Sequence, residues 1–133
     1  MPSKVETFTP PDVMAPIGPY SHIAKANGLI AISATAGVDP ATQKLVGDDV
    51  ASQTTQIIKS FASMLASVNS GLAHVLHINV FLTDMANFEA MNAAYAEAMG
   101  EHRPARTAIA VTALPKPGAL VTMNLTAVER DNP

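Results

Sequence analysis

Four stretches of this chain have the alternation expected of β-strands, 29–35, 78–83, 106–113 and 119–128, and together they carry a single charged residue, Arg106. A sheet that shows one face to water normally places Lys and Glu on that face. In the last stretch Val121, Met123 and Leu125 point one way, and Thr122, Asn124 and Thr126 point the other. In 106–113, Thr107, Ile109 and Val111 share one face, and Arg106, Ala108, Ala110 and Thr112 share its opposite. The larger apolar face is expected to pack under helices. The other face is read as Ala108, Ala110, Thr112, Thr122, Asn124 and Thr126, all small or uncharged. Soluble proteins rarely leave such a surface bare, so a second subunit is expected to cover it.

Composition points the same way. Hydrophobic residues make up 48% of the 133 residues and charged residues 14%, against an ordinary charged share of about 25%. The length suits a single domain spanning 1–133. No apolar run approaches the ~20 residues that a bilayer span needs, and the first residues lack the apolar core of a signal peptide. A cytoplasmic protein with a subunit interface is therefore expected. Cysteine is absent, which excludes a disulfide framework, a zinc–thiolate site and a cysteine nucleophile. The net charge is -3, and the five lysines and three arginines are scattered. Nucleic-acid binding needs a basic face, so this distribution argues against it.

Around the strands the chain is readily divided. Residues 1–19 hold five of the ten prolines and read as an extended arm ending in a turn. Asn27-Gly28 between apolar runs predicts a hairpin with strands at about 20–26 and 29–35. Residues 49–68 have helical spacing, from Val50 through Ile57, Phe61 and Leu65 to Val68, with Asp48 or Asp49 as cap and Asn69-Ser70-Gly71 as stop. A strand follows from Val75 to Thr83. A second helix is expected over 87–99, started by Asp84 or Asn87, with Phe88, Met91, Tyr95 and Met99 inward and Gly100 at its end. The last third reads as a hairpin of strands 106–113 and 119–129 joined by a turn at Leu114-Pro115-Lys116-Pro117-Gly118. His74 and His77 stand at the start of a strand, where positions three apart face opposite sides, so they are not read as metal ligands.

Arg106 is the informative charge. A buried guanidinium without a partner is costly, and no acid lies on its face in these strands. Its partner is either a carboxylate from elsewhere in the chain or a ligand anion. The planar fork of Arg matches a carboxylate with two parallel hydrogen bonds.

At these residues the sequence resembles the RidA/YjgF family of reactive-intermediate deaminases, also known as L-PSP endoribonucleases or translation inhibitors. The matching stretches are Ile17-Gly18-Pro19-Tyr20, Ile32-Ser33, Asn79-Val80-Phe81-Leu82-Thr83-Asp84, Asn87-Phe88 to Asn92-Ala93-Ala94-Tyr95, Arg103-Pro104-Ala105-Arg106-Thr107, and Leu114-Pro115 to Ala127-Val128. The resemblance implies an α/β (α+β) fold of the chorismate-mutase-like type, a mixed six-stranded sheet backed by two helices. It implies a homotrimer with inward-facing sheets and three intersubunit clefts. It implies hydrolysis of enamines and imines, such as 2-aminoacrylate, to 2-keto acids and ammonia without a cofactor.

Carried over by residue, the resemblance has Arg106 clamping the substrate carboxylate. Tyr20 lines the cleft from the arm of a neighbouring chain, Ser33 and Asn92 occupy further cleft positions, and the backbone at Thr107 and Ala108 serves the reacting nitrogen. Two positions depart from the family pattern. Ala108 stands where a cysteine is frequent. Thr122 stands where a glutamate on the last strand is thought to hold the attacking water, with Asn124 next on the same face. Thr and Asn can hold a water but cannot take its proton at neutral pH. Three functions are thus in view. One is a deaminase of small 2-imino acids using Arg106, Thr122 and Asn124. The second is a trimer that binds small carboxylates without turnover as a sensor or regulator, which the missing glutamate favours. The third is an endoribonuclease, which the net acidity disfavours.

Overall fold

A computed structural model describes residues 4–131, so the first three residues of the proline-rich arm and the last two of the chain lie outside the described residues. The arm contains a short strand, β1 (Glu6–Phe8). The hairpin predicted at Asn27-Gly28 follows as β2 (Ile23–Ala26) and β3 (Leu29–Ala36). Both turn residues have positive φ, 53° and 78°, which suits the right-handed twist of the strands they join. A small ribbon, β4 (Val38–Asp39) with β5 (Lys44–Leu45), leads into helix α1 (Val50–Ser67). Strand β6 (Val75–Leu82), helix α2 (Phe88–Met99), strand β7 (Ala105–Ala110) and strand β8 (Val121–Val128) complete the chain.

The helices form where caps and apolar spacing agree. The Asp49 side chain accepts a hydrogen bond from the Ser52 backbone N–H at 2.8 Å, and the Ser52 hydroxyl donates to the same carboxylate at 2.7 Å. This satisfies one of the amides a helix start leaves unpaired. Asn69, at φ 59°, ends α1 in the left-handed region. Helix α2 ends at Gly100, φ 76°. Ile57, Ile58, Phe61, Met64 and Leu65 of α1, with Met91, Tyr95 and Met99 of α2, are buried against the sheet.

The six-stranded mixed sheet has the order β1-β2-β3-β8-β6-β7. All pairs are antiparallel except β6 with β7. Here the expectation of a C-terminal hairpin fails. Strand β7 pairs in parallel with β6, and α2 is the crossover that a parallel pair requires. Strand β8 inserts between β3 and β6 instead. The Pro115–Gly118 turn is a local feature within the longer connection 111–120, and nothing local to it dictates which strands pair.

The same change exchanges the faces of β7. Arg106 lies opposite Ile78 and Ala108 opposite Val80, both buried on the helix side. Thr107 and Ile109 lie on the open face, opposite Asn79 and Phe81. The expectation that Ala108 and Ala110 sit beside Thr122, Asn124 and Thr126 is therefore corrected. The open face across the six strands includes Thr7, Ala24, Ala26, Leu29, Ala31, Ala36, His77, Asn79, Phe81, Ala105, Thr107, Ile109, Thr122, Asn124, Thr126 and Val128, with no Lys, Arg, Asp or Glu among them. Leu29 and Ile109 remain 52% and 45% exposed there, so the apolar surface inferred from the sequence is present with different members.

The cap also yields a pH dependence. Hydrogen bonds from Ser52, its side chain first and then its backbone, hold the Asp49 carboxyl below its ordinary value of 3.8. A carboxyl depressed in the native state stabilises the fold above its unfolded-state pKa, and that contribution is lost as the pH falls through the lowered native value. Asp49→Ala is expected to lower the thermal midpoint near neutral pH. The gap from the wild type should narrow in acid, as read by circular-dichroism melts across a pH series.

Candidate active site

The site lies where the arm folds back over one end of the open sheet face. A β-bulge at Ser33-Ala34 interrupts the pairing of β3 with β8, because Ile32 lies opposite Leu125 while Thr35 lies opposite Met123. A bulge adds one residue to one strand and re-aims the side chains around it. Ser33 thereby faces a pocket of about 550 Å³, and its hydroxyl is buried without a hydrogen-bond partner among the described residues. Thr122 joins it from β8 and is only 6% exposed. Tyr20, Ile17 and Met14 come from the arm, and Pro115, Lys116 and Pro117 come from the connection between β7 and β8.

Two buried polar side chains hold these walls in place. His22 is buried, and its Nε2 donates to the Met14 carbonyl, which ties the arm to the start of β2. The Tyr20 ring packs edge-on against the His22 ring at 5.9 Å, and the Tyr20 hydroxyl accepts from the Ile17 N–H at 3.4 Å. Gln53 of α1 is fully buried. Its Nε2 donates to the Gly47 and Gly118 carbonyls at 2.9 and 3.3 Å, and its Oε1 accepts from the Leu120 N–H at 2.8 Å. One amide thus anchors the loop that supplies Pro115, Lys116 and Pro117. The neighbouring Gly37 gives α1 its close approach, since a Cβ there would stand 2.6 Å from the Gln53 Cα.

Of the residues singled out from the sequence, the structure brings Tyr20, Ser33 and Thr122 together. Asn124 lies on the same face, where its Oδ1 accepts from Asn79 Nδ2 at 2.8 Å, and it lines a neighbouring groove with Ser33. The Thr107 hydroxyl is hydrogen-bonded to His77 at 3.1 Å, and Ala108 packs against the core. Asn92 sits half-buried on α2.

Arg106 is elsewhere. It lies on the opposite face of the sheet from Thr122, and β6 stands between their strands. Its guanidinium carbon is 4.8 Å from the centroid of the Tyr95 ring and 5.8 Å from that of Phe88. Aromatic faces attract a guanidinium but accept no in-plane hydrogen bonds. Among the described residues Arg106 has neither a carboxylate nor a hydrogen-bond acceptor, so its planar fork is unspent. The expectation of a carboxylate from elsewhere in the chain is not met. Burial holds the Tyr95 hydroxyl above its ordinary pKa of 10.0, an effect opposed by the charges of Arg106 and Arg103.

Residues 11–129 match the Endoribonuclease L-PSP family. Protein HMF1 of Saccharomyces cerevisiae is 38% identical over 130 residues, covering 96% of this chain and 99% of that one. The chain belongs to the RidA/YjgF (L-PSP) family. Its members include the chloroplastic Reactive Intermediate Deaminase A of Arabidopsis thaliana, 34% identical over 112 residues, which are 84% of this chain and 60% of that one. A crystal structure of the yeast protein YEO7 superposes with a TM-score of 0.89 at 35% identity, covering 96% of this chain and all of that chain. The RidA-like sheet and its two helices are thus shared with solved relatives. No helix among the described residues is long and apolar enough to cross a membrane.

The sequence reading missed Met14, His22, Gln53 and Lys116 as parts of the site. Met14 and Lys116 stand in the two proline-rich stretches read only as an arm and a turn, and Gln53 stood on the inner stripe of a helix, where a polar residue with a long side chain was the available signal. Gln53→Ala leaves the part-buried Leu120 N–H and Gly47 carbonyl without the side-chain partner they have here. At about 1–2 kcal/mol for each such part-buried group, the lower part of the usual range, the expected destabilisation is about 2–4 kcal/mol in urea unfolding, together with faster amide exchange at 115–120 measured by mass spectrometry.

Proposed function

We propose that this RidA-family protein hydrolyses small 2-imino acids and their enamine tautomers, of the 2-aminoacrylate type, to 2-keto acids and ammonia. The observation that carries this reading is the pairing of two incomplete half-sites. The pocket offers hydroxyls and no guanidinium, while Arg106 offers a guanidinium with no anion. The two stand on opposite faces of one chain, so one chain cannot bring them together. A homotrimer with inward-facing sheets, in which the edge strand β7 of one copy reaches the pocket of the next, completes the site, with Tyr20, Ser33 and Thr122 from one copy and Arg106 from the next.

In this arrangement Arg106 holds the substrate carboxylate through two parallel hydrogen bonds, and the backbone at Thr107 and Ala108 serves the imine nitrogen. A water held by Thr122 and Ser33 attacks the imine carbon. The C–O bond forms as the C=N π pair moves to nitrogen, giving a carbinolamine. Proton transfer to nitrogen and cleavage of the C–N bond then release ammonia and leave the keto acid. Asn124 is a poorer water holder than Thr122, since its Oδ1 is already engaged by Asn79. An imine is electrophilic enough to react without a strong base, and positioning alone contributes substantially to rate.

A second reading is supported by the absence of any acid among the pocket-lining residues. In that reading the same clefts bind small carboxylates as a sensor and do not turn them over. A nuclease would need a basic track for phosphates, and the open face carries no Lys or Arg.

Ammonia release from freshly generated 2-aminoacrylate tests the proposal. Arg106→Ala is expected to lose the acceleration and keto-acid binding while the oligomer persists in light scattering. Retained keto-acid affinity would overturn the assignment of Arg106. Thr122→Glu supplies a base at the attacking water and is expected to raise kcat by about tenfold or more, since general-base help is worth ~10²–10⁴-fold. An unchanged rate would remove Thr122 from the water site. No acceleration by the wild type, with keto acids still bound, would favour the sensor.

A further inference from the structure

The pocket holds one charge that the proposed reaction does not use. Among its ten lining residues only Lys116 is ionic, and the rest are apolar apart from the hydroxyls of Tyr20, Ser33 and Thr122. Lys116 is half-buried although it sits in a loop. Its carbonyl accepts from the Ala119 N–H at 3.1 Å, but its side chain has no ion-pair or hydrogen-bond partner among the described residues, where the one ion pair joins Lys25 and Glu129. Its position is set by the buried amide of Gln53, which grips the loop at the Gly118 carbonyl and the Leu120 N–H. The prolines on either side of it restrict the backbone further. Lys116 thus lines a pocket that holds hydroxyls and no carboxylate, with room for an anion and no acid among the lining residues to supply one.

We infer that Lys116 is a specificity-determining residue that selects substrates with a second anionic group, namely 2-imino dicarboxylates and the corresponding keto diacids. The inference rests on the reading of the cleft given above, with Arg106 of the neighbouring copy taking the α-carboxylate. Lys116 then takes the distal carboxylate from the pocket wall. Two cations in the completed site match two carboxylates on the ligand, and a monocarboxylate leaves the ammonium unpaired. Lys suits this role because its ammonium is a point charge on a flexible stem that can meet carboxylates at different chain lengths. The pocket volume of about 550 Å³ leaves room for a four- or five-carbon diacid.

The test compares imines generated in situ by amino-acid oxidases from aspartate and glutamate with those from alanine and 2-aminobutyrate. The readout is the ratio of kcat/KM between the diacid and monoacid substrates for the wild type, Lys116→Met and Lys116→Glu. The wild type is expected to favour the diacids. Lys116→Met should lower the ratio by about 10- to 100-fold, the size of one charge-assisted hydrogen bond, and Lys116→Glu should lower it further. A ratio that does not move in either variant would overturn the inference. Calorimetric titration of 2-oxoglutarate and oxaloacetate against pyruvate on the same three proteins separates this outcome from failure of the deaminase reading. If the wild type turns over no imine, a diacid preference in binding that Lys116→Met removes still upholds the role of Lys116. Equal binding of diacids and pyruvate by the wild type, or a preference that survives in Lys116→Met, refutes it.

Discussion

The central position of β8 is the constraint on which the rest of this structure depends. It pairs with β3 on one side and β6 on the other, so each of its side chains lies between two neighbours. Val121, Met123, Leu125 and Ala127 are buried toward the helices, each burial of a large side chain contributing about 1.5–3 kcal/mol. Because the side-chain period of a strand is two, burying that set commits Thr122, Asn124 and Thr126 to the open face. The polar residues read as candidates for chemistry are therefore placed by the packing of their neighbours.

Placing β8 in the middle also separates Arg106 from the pocket. Strand β7 is displaced to the sheet edge, and its parallel register with β6 turns Arg106 toward Tyr95 and Phe88 of α2. The bulge at Ser33-Ala34 and the arm residues build the pocket on the other face, over the central strands β3 and β8. A single chain so arranged holds a guanidinium without an anion and, on the other face, a pocket without a guanidinium. The open face carries no Lys, Arg, Asp or Glu, so covering it would desolvate no charged side chain of the sheet. Taking a charge out of water costs several kcal/mol when it is left unpaired.

The pocket walls show how a site can be held by residues remote from its chemistry. Gln53 reaches out of α1 to fix the proline-rich loop, and His22 fixes the arm. Both are buried polar groups, which need partners to be tolerated, and their partners are the backbone of the two segments that carry Lys116 and Tyr20. Order in these loops follows from hydrogen-bond satisfaction in the core.

Several features were legible in the sequence alone. The Asn27-Gly28 hairpin, the Asp49 cap, both helices and the inward stripe of β8 follow from local rules of turn chemistry, capping and periodicity. So did the peculiarity of Arg106, because a lone charge among uncharged strands is visible without coordinates. The resemblance carried by Gly18-Pro19-Tyr20 and Pro104-Ala105-Arg106-Thr107 named the family and its sheet. What the sequence misled on was the pairing of the last two strands, and with it the face on which Arg106, Ala108 and Ala110 lie. A turn motif specifies the direction of the chain over four residues, whereas strand order is decided by which strand buries the most apolar surface in the centre of the sheet. Only that tertiary choice put Arg106 against Tyr95, Lys116 beside Thr122, and the sheet between them.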